Sequence, residues 1–168
     1  MSLQEIIDAT AGAVAADPGN AAVVFTASGR ATGSVATVIS TPNHTLTIDE
    51  PPGLGGEDTA ANPVEVALAS LIACQVVTYR FWAVRLGLTV DDLRIEAEGD
   101  LDVRGFFGLD ESVRPGFGEV RVHVTLSGPE PEASYEELHA AVDAHCPVLD
   151  LFAGTTPVRT LLHVAATA

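Results

Sequence analysis

Basic residues are scarce in this chain of 168 residues: Lys+Arg 8 stand against Asp+Glu 23, a formal net charge of -15 at pH 7. Phosphate backbones and anionic bilayers are held by clustered Lys and Arg, so this balance argues against nucleic acid and membrane surfaces as partners. Cysteine is scarcer, with two in the whole chain. Neither C-x-x-C nor H-x-x-x-H spacing accompanies them, which argues against a metal centre. The sequence has no G-x-S-x-G elbow of a serine hydrolase. The Gly53 to Gly56 stretch lacks both G-x-G-x-x-G and a P-loop Lys, so phosphate binding there is a weak reading. Internal repeats and low-complexity segments are absent. The opening Met1-Ser2-Leu3-Gln4-Glu5 carries no basic region followed by an apolar stretch and a cleavage site, which predicts a cytoplasmic address. The longest apolar run, from Val66, is interrupted by Gln75, Thr78 and Arg80 and falls short of the ~20 apolar residues of a membrane span. It reads as a buried helix.

What is present is a globular composition, 47% hydrophobic and 18% charged. A chain of this length buries roughly 70% of the surface its unfolded state exposes. One domain over residues 1–168 is predicted, with residues 1–18 as an N-terminal helical extension.

Ser2 and Glu5 have the spacing of a capping box, predicting a helix to about Ala16 that Asp17-Pro18-Gly19-Asn20 ends. Ala21 to Ser28 and Thr32 to Ser40 read as hairpin strands separated by Gly29-Arg30, with a third strand over Thr45 to Asp49. Glu50 to Asp58 is rich in Pro and Gly and predicts a loop without regular structure. Asn62 as N-cap, Pro63 at the first position and Gly87 as the stop bound a long helix. Its first half is apolar on nearly every side, which predicts protein all round it. Leu93 to Val103 alternates with period two, as do Val120 to Leu126, giving a long hairpin across Arg104 to Gly118. Ser134 to Glu137 has the form of a second capping box, opening a helix to about His145. Pro147 breaks it and starts a short turn to Phe152. Thr155 to Val164 reads as a closing strand. Strands and helices do not alternate, which predicts a mainly antiparallel α+β fold.

The chemistry centres on Cys74, deep in the long helix, and Cys146, beside Pro147. In a reducing compartment a cysteine pair is more often catalytic, metal-binding or simply buried than a lasting structural disulfide. A thiol reacts as its thiolate, and burial of Cys74 disfavours that form, so a nearby cation is required. Arg30 is the preferred candidate over Arg80 and Arg85. Cys74 as a small core hydrophobe is the competing reading. Cys146 is positioned to benefit from free amides of a helix starting at Pro147. His145 adjoins it, yet neighbours on a helix point apart, so no ion pair follows. Glu65 stands where a carboxylate caps its own helix. Glu57 and Asp58 are less readily explained by structure, and Phe106 and Phe107 either anchor the hairpin connection or line a pocket.

Gly55-Gly56-Glu57-Asp58, then Asn62-Pro63 and the apolar helix through Ala73-Cys74, then His145-Cys146-Pro147-Val148, resemble the OsmC/Ohr family over most of Val23 to Val164. The resemblance implies an intertwined homodimer, with long helices packed centrally against a strongly curved antiparallel sheet. It implies thiol-dependent reduction of organic hydroperoxides with Cys74 peroxidatic and Cys146 resolving, Arg30 of a Gly-Arg turn activating the thiolate, and Glu57 and Glu65 in support. No bound cofactor is implied. The reductant would be an external dithiol, in some members a lipoylated protein. Leu71, Phe106 and Phe107 would offer apolar walls to a bulky peroxide. The family's Glu directly after Asn-Pro is Val64 here, and Glu65 comes one position later, rotated by about 100° on a helix. The alternative is a non-catalytic module of the same fold that binds an apolar small molecule at the dimer interface.

Overall fold

The first helix, α1 (Leu3–Ala16), opens as its first residues dictate: Glu5 N–H donates to Ser2 Oγ at 3.2 Å and Ser2 N–H to Glu5 Oε2 at 2.6 Å. Asp17 ends α1 and caps a 3-10 turn over Pro18–Ala21. The structure, a computed structural model, describes residues 1–165.

Strands β1 (Ser28–Ala31), β2 (Thr37–Ser40) and β3 (Thr45–Ile48) form an antiparallel sheet in that order. The predicted turn at Gly29-Arg30 is not one: Gly29 pairs with Ile39 and Arg30 with Val38 inside β1. The turn lies one step later and is closed by Thr32 N–H to Ala36 O at 2.9 Å. Gly29 answers to close strand contact, since a Cβ there would meet Ile39 Cδ1 at 2.8 Å. Ala22 to Ala27, predicted as most of a strand, has no strand partner among the described residues. The loop after β3 contains one 3-10 turn, Pro52–Leu54, where none was predicted.

The long helix α2 (Pro63–Leu86) has the predicted ends. Asn62 and Glu65 form a capping box at 2.9 Å in each direction, Pro63 fills the first position, and Gly87 closes the helix at φ 69. A left-handed residue at that point favours glycine because it has no Cβ to clash. Its buried stripe is Leu71, Gln75, Thr78, Tyr79 and Ala83. The opposite stripe is not covered as predicted, and Val64 and Val77 are 41% and 55% exposed. The reason is that α2 packs on one side only within a single chain. By length and composition α2 is also long and apolar enough to cross a membrane, with 24 residues and a hydropathy of 1.4, contrary to the shorter apolar run predicted. Its buried Gln75 and Thr78 face protein.

Strands β4 (Asp92–Leu101) and β5 (Phe117–Ser127) form the predicted antiparallel ribbon, and the connection carries a short helix, α3 (Val103–Phe106). Helix α4 (Glu132–His145) starts two residues before the predicted capping box. Pro131 supplies the fixed φ of -59, and Ser134 N–H donates to Pro131 O at 2.9 Å, so Ser134 is already in the first turn. Helix α5 (Pro147–Ala153) follows at once. The core lies between α2, α4 and the ribbon, built on Tyr79, Ala83, Ile95, Leu138 and Val142. The predicted closing strand is absent over Thr155 to Val164. No strand of either sheet pairs with that segment, and β1, β3, β4 and β5 each keep one open edge among the described residues.

Candidate active site

Two helix ends and one helix middle make the site. Cys146 is the C-cap of α4 and the N-cap of α5: its N–H donates to Val142 O at 2.9 Å and its carbonyl accepts from Asp150 N–H at 3.0 Å. Pro147 has no N–H with which to prolong α4, so the chain turns there. This joint buries Cys146 to 2% exposure and sets it against α2. Cys74 lies on α2, partly buried, and both cysteines are free thiols. The Cys146 thiol is close enough to the Cys74 thiol to influence its ionisation.

The electrostatics of Cys74 oppose ionisation at rest. Burial pushes its thiol up from the ordinary value, and the Cys146 thiol adds to that rise. The Val148 backbone N–H, facing the sulfur, and the Thr78 hydroxyl act in the opposite direction. Val148 carries the first free amide of α5, because Pro147 has none. The amides predicted to serve Cys146 thus serve Cys74. In this structure the Thr78 Oγ1–H donates to Cys74 O at 2.8 Å. The arrangement brings two thiols from distant parts of the sequence to one joint, in a setting that disfavours the Cys74 thiolate.

The other predicted residues are scattered. Arg30 is exposed on β1, makes no salt bridge among the described residues, and is not among the principal influences on the Cys74 thiol. Glu65 is engaged in the Asn62 cap. The Glu57 side chain is exposed, while its N–H donates to Asp49 Oδ2 at 3.1 Å. Leu71, fully buried one turn before Cys74, lines a cavity of about 420 Å³ together with Phe117, Val122, Leu149 and Phe152. Phe106 and Phe107 lie outside that lining, 68% and 53% exposed on and just after α3. His145 turns away from the thiols: its ring lies 4.2 Å from that of Trp82, and Nδ1 donates to Ala141 O at 2.8 Å.

Three features escaped the sequence reading. Thr78, one turn after Cys74, was legible from helical spacing. Val148 required the α4 to α5 joint. Asp49, which organises the loop before α2, carried no sequence signal beyond being acidic at a strand end.

A family model described as OsmC-like protein matches residues 55–160. The chain matches none of the curated proteins. Among solved structures it is similar to an OsmC-like protein from Mycoplasma pneumoniae, at 18% identity and TM-score 0.67, covering 79% of this chain and 89% of that one. It is similar to an organic hydroperoxide resistance protein OsmC from Legionella pneumophila, at 23% identity and TM-score 0.61, covering 79% and 90%. A third is an organic hydroperoxide resistance protein from Elizabethkingia anophelis with thiocyanate bound, at 21% identity and TM-score 0.60, again covering 79% and 90%.

Proposed function

Because this chain belongs to the OsmC-like protein family, we propose that it is a thiol peroxidase that reduces organic hydroperoxides through Cys74 and Cys146. The observation that carries this reading is the apposition of the two thiols, from distant parts of the sequence, at the α4 to α5 joint. Cysteine behaving only as a core hydrophobe has no need of a second thiol at its side.

The Cys74 thiolate attacks the distal peroxide oxygen. The O–O bond breaks, the leaving alkoxide takes a proton and departs as an alcohol, and the sulfur becomes a sulfenic acid. The Cys146 thiol then condenses with it, forming the S–S bond and releasing water. An external dithiol, lipoylated or otherwise, restores both thiols by two exchanges and leaves oxidised. Val148 N–H and Thr78 stabilise the thiolate that starts the cycle, and Arg30 is assigned as its activating cation. Glu57 and Glu65 support the loop and helix that lead to Cys74. Leu71, Phe106 and Phe107 are assigned to the apolar walls around the peroxide.

A homodimer completes the reading. Val23, Val24 and Phe25 are 69%, 90% and 92% exposed, and Val158, Leu161, Leu162 and Val164 stand at 84%, 67%, 88% and 84%. A second copy pairing with these extended segments and covering Val64 and Val77 would remove this apolar surface from water at about 25 cal/mol per Å². The protein is assigned to the cytoplasm, where dithiol reductants are maintained.

The cavity beside Leu71 favours one second reading, a module that binds an apolar small molecule without turnover. Consumption of cumene hydroperoxide with a dithiol separates the two. Turnover by the native chain that is lost in Cys74→Ser supports the peroxidase. No turnover, with Cys74→Ser indistinguishable from native, leaves the binding module.

A further inference from the structure

The cavity that Leu71 lines, about 420 Å³ between α2, β5 and α5, is of the size that holds small organic ligands. Its walls are apolar. Leu71 is fully buried, Val122 and Leu149 add aliphatic surface, and the Phe117 and Phe152 rings stand 25° from parallel with centroids 6.3 Å apart. Phe117 has room for its ring because Gly99 on β4 has no Cβ: one added there would meet Phe117 Cδ1 at 2.6 Å.

Two charged residues share the lining, Glu119 and Arg114. Glu119 is already engaged, by Arg121 Nη1 at 2.9 Å. Arg114 is not. Arg94, Arg104 and Arg121 are each held by carboxylates, whereas Arg114 makes no salt bridge and no side-chain hydrogen bond among the described residues. The carboxylates of its own loop, Asp102 and Asp110, go to Arg104 at 2.5 and 3.6 Å. The Arg114 backbone is pinned, since Gly105 passes so near that a Cβ would lie 2.5 Å from Arg114 O, and Pro115 restricts the residue before it. The side chain folds back over Gly116, where a Cβ would lie 3.6 Å from Nη2. That sets the guanidinium beside the start of β5.

We propose that this cavity binds an amphiphile with an apolar body and a single carboxylate, and that Arg114 holds the carboxylate. A guanidinium presents a planar fork that a carboxylate meets with two parallel hydrogen bonds. In a chain of net charge -15, an uncompensated cation on an apolar wall is the local feature that favours an anion. A phosphate would bring a second negative charge with no second free cation on the lining to meet it; a carboxylate brings one. Arg114 is thus a specificity-determining residue, selecting by charge among ligands of equal apolar size. The inference goes beyond the thiol chemistry and does not require it.

The test is calorimetric titration of the reduced full-length protein at about pH 7.5, where a carboxyl is ionised, with decanoate below its micelle threshold and with 1-decanol as the neutral ligand of equal chain length. Decanoate is expected to bind saturably and more tightly than decanol. Arg114→Gln should weaken decanoate about five- to tenfold, between the effect of an exposed ion pair and that of a hydrogen bond to a charged group, and leave decanol within about twofold. The Arg114 side chain is exposed and unpaired, so the fold does not depend on it. Leu151→Asp places a carboxylate on the cavity wall at a position 57% exposed and tolerant of exchange. It should weaken decanoate more than decanol. The proposal is overturned by native protein that takes up no decanoate, as when a second copy fills the cavity, by Arg114→Gln that binds both ligands as native does or loses both equally, or by Leu151→Asp that leaves decanoate unaffected. No peroxide enters the assay. Decanoate bound by protein that turns over no cumene hydroperoxide would keep this inference and remove the peroxidase reading, and turnover without decanoate binding would do the reverse.

Discussion

The Val148 backbone N–H faces the Cys74 sulfur across the joint between α4 and α5. Its position follows from Pro147, which ends α4, opens α5 and leaves Val148 with the first unpaired amide of the new helix. That amide and the Thr78 hydroxyl are the two groups that favour a thiolate in a setting where burial disfavours one.

Thr78→Val removes one of them while keeping the side-chain shape. The Cys74 thiol, already above its ordinary value, is expected to rise further. Alkylation by iodoacetamide near neutral pH should slow by about tenfold, the effect of one hydrogen bond to a charged group, while the rate at strongly alkaline pH stays put. A rate–pH profile that overlays the native one would show that the hydroxyl does not act on the sulfur.

Arg30→Ala tests the proposed activating cation. An opposite charge within hydrogen-bonding range lowers an acid by about 1–3 pKa units, so the variant should alkylate at Cys74 about tenfold or more slowly at neutral pH. Arg30 stands exposed on β1 in this chain, and unchanged kinetics would take it out of the site.

Much of the fold is legible in the sequence wherever a local rule is sufficient. Ser2 with Glu5, and Asn62 with Pro63, Glu65 and Gly87, define helix ends through contacts within a few residues, and α1 and α2 begin and end accordingly. The β4–β5 ribbon was legible from strict alternation. The errors fall where the deciding contact is distant or lies outside a single chain. Gly29 looks like a turn residue until Ile39 is seen pressed against it. The α4 cap failed because Pro131 pre-empted Ser134. Thr155 to Val164 has strand composition but joins none of the open sheet edges in this chain. At the site, the settings of the two cysteines, one mid-helix and one beside a proline, suggest a thiol couple, and the resemblance gives each its role. The placing of Val148 beside Cys74 depends on how α5 meets α2, which no local pattern encodes.

Cys146→Ser separates the two halves of the proposed cycle. The first half needs only Cys74, so one equivalent of hydroperoxide should still be consumed. The sulfenic acid then has no thiol to condense with and should persist long enough to be trapped by dimedone, as a mass increment on Cys74. Steady-state turnover with a dithiol should fall at least about tenfold, since the reductant must now reach a partly buried sulfenic acid instead of a disulfide. Full turnover in this variant would remove Cys146 from the cycle.

Asp49 gives a prediction independent of peroxide chemistry. It is 2% exposed, and its carboxylate accepts from the N–H groups of Glu50, Glu57 and Thr59 at 2.9, 3.1 and 3.1 Å and from the Thr59 hydroxyl at 2.8 Å. The Thr59 amide foremost, then its hydroxyl and the Glu50 amide, hold the carboxyl down to about 2 from an ordinary 3.8, against the opposing effect of burial. The loop has little slack around it, because a Cβ on Gly56 would fall 1.8 Å from Glu50 O. A group with a lower pKa folded than unfolded binds fewer protons when folded, so its contribution is present above about pH 4 and is lost as pH falls towards about 2. Asp49→Ala should therefore lower the melting temperature at neutral pH, and the gap to the native protein should narrow across that acid window. Melting curves that stay parallel through it would mean that another carboxylate sets the acid stability.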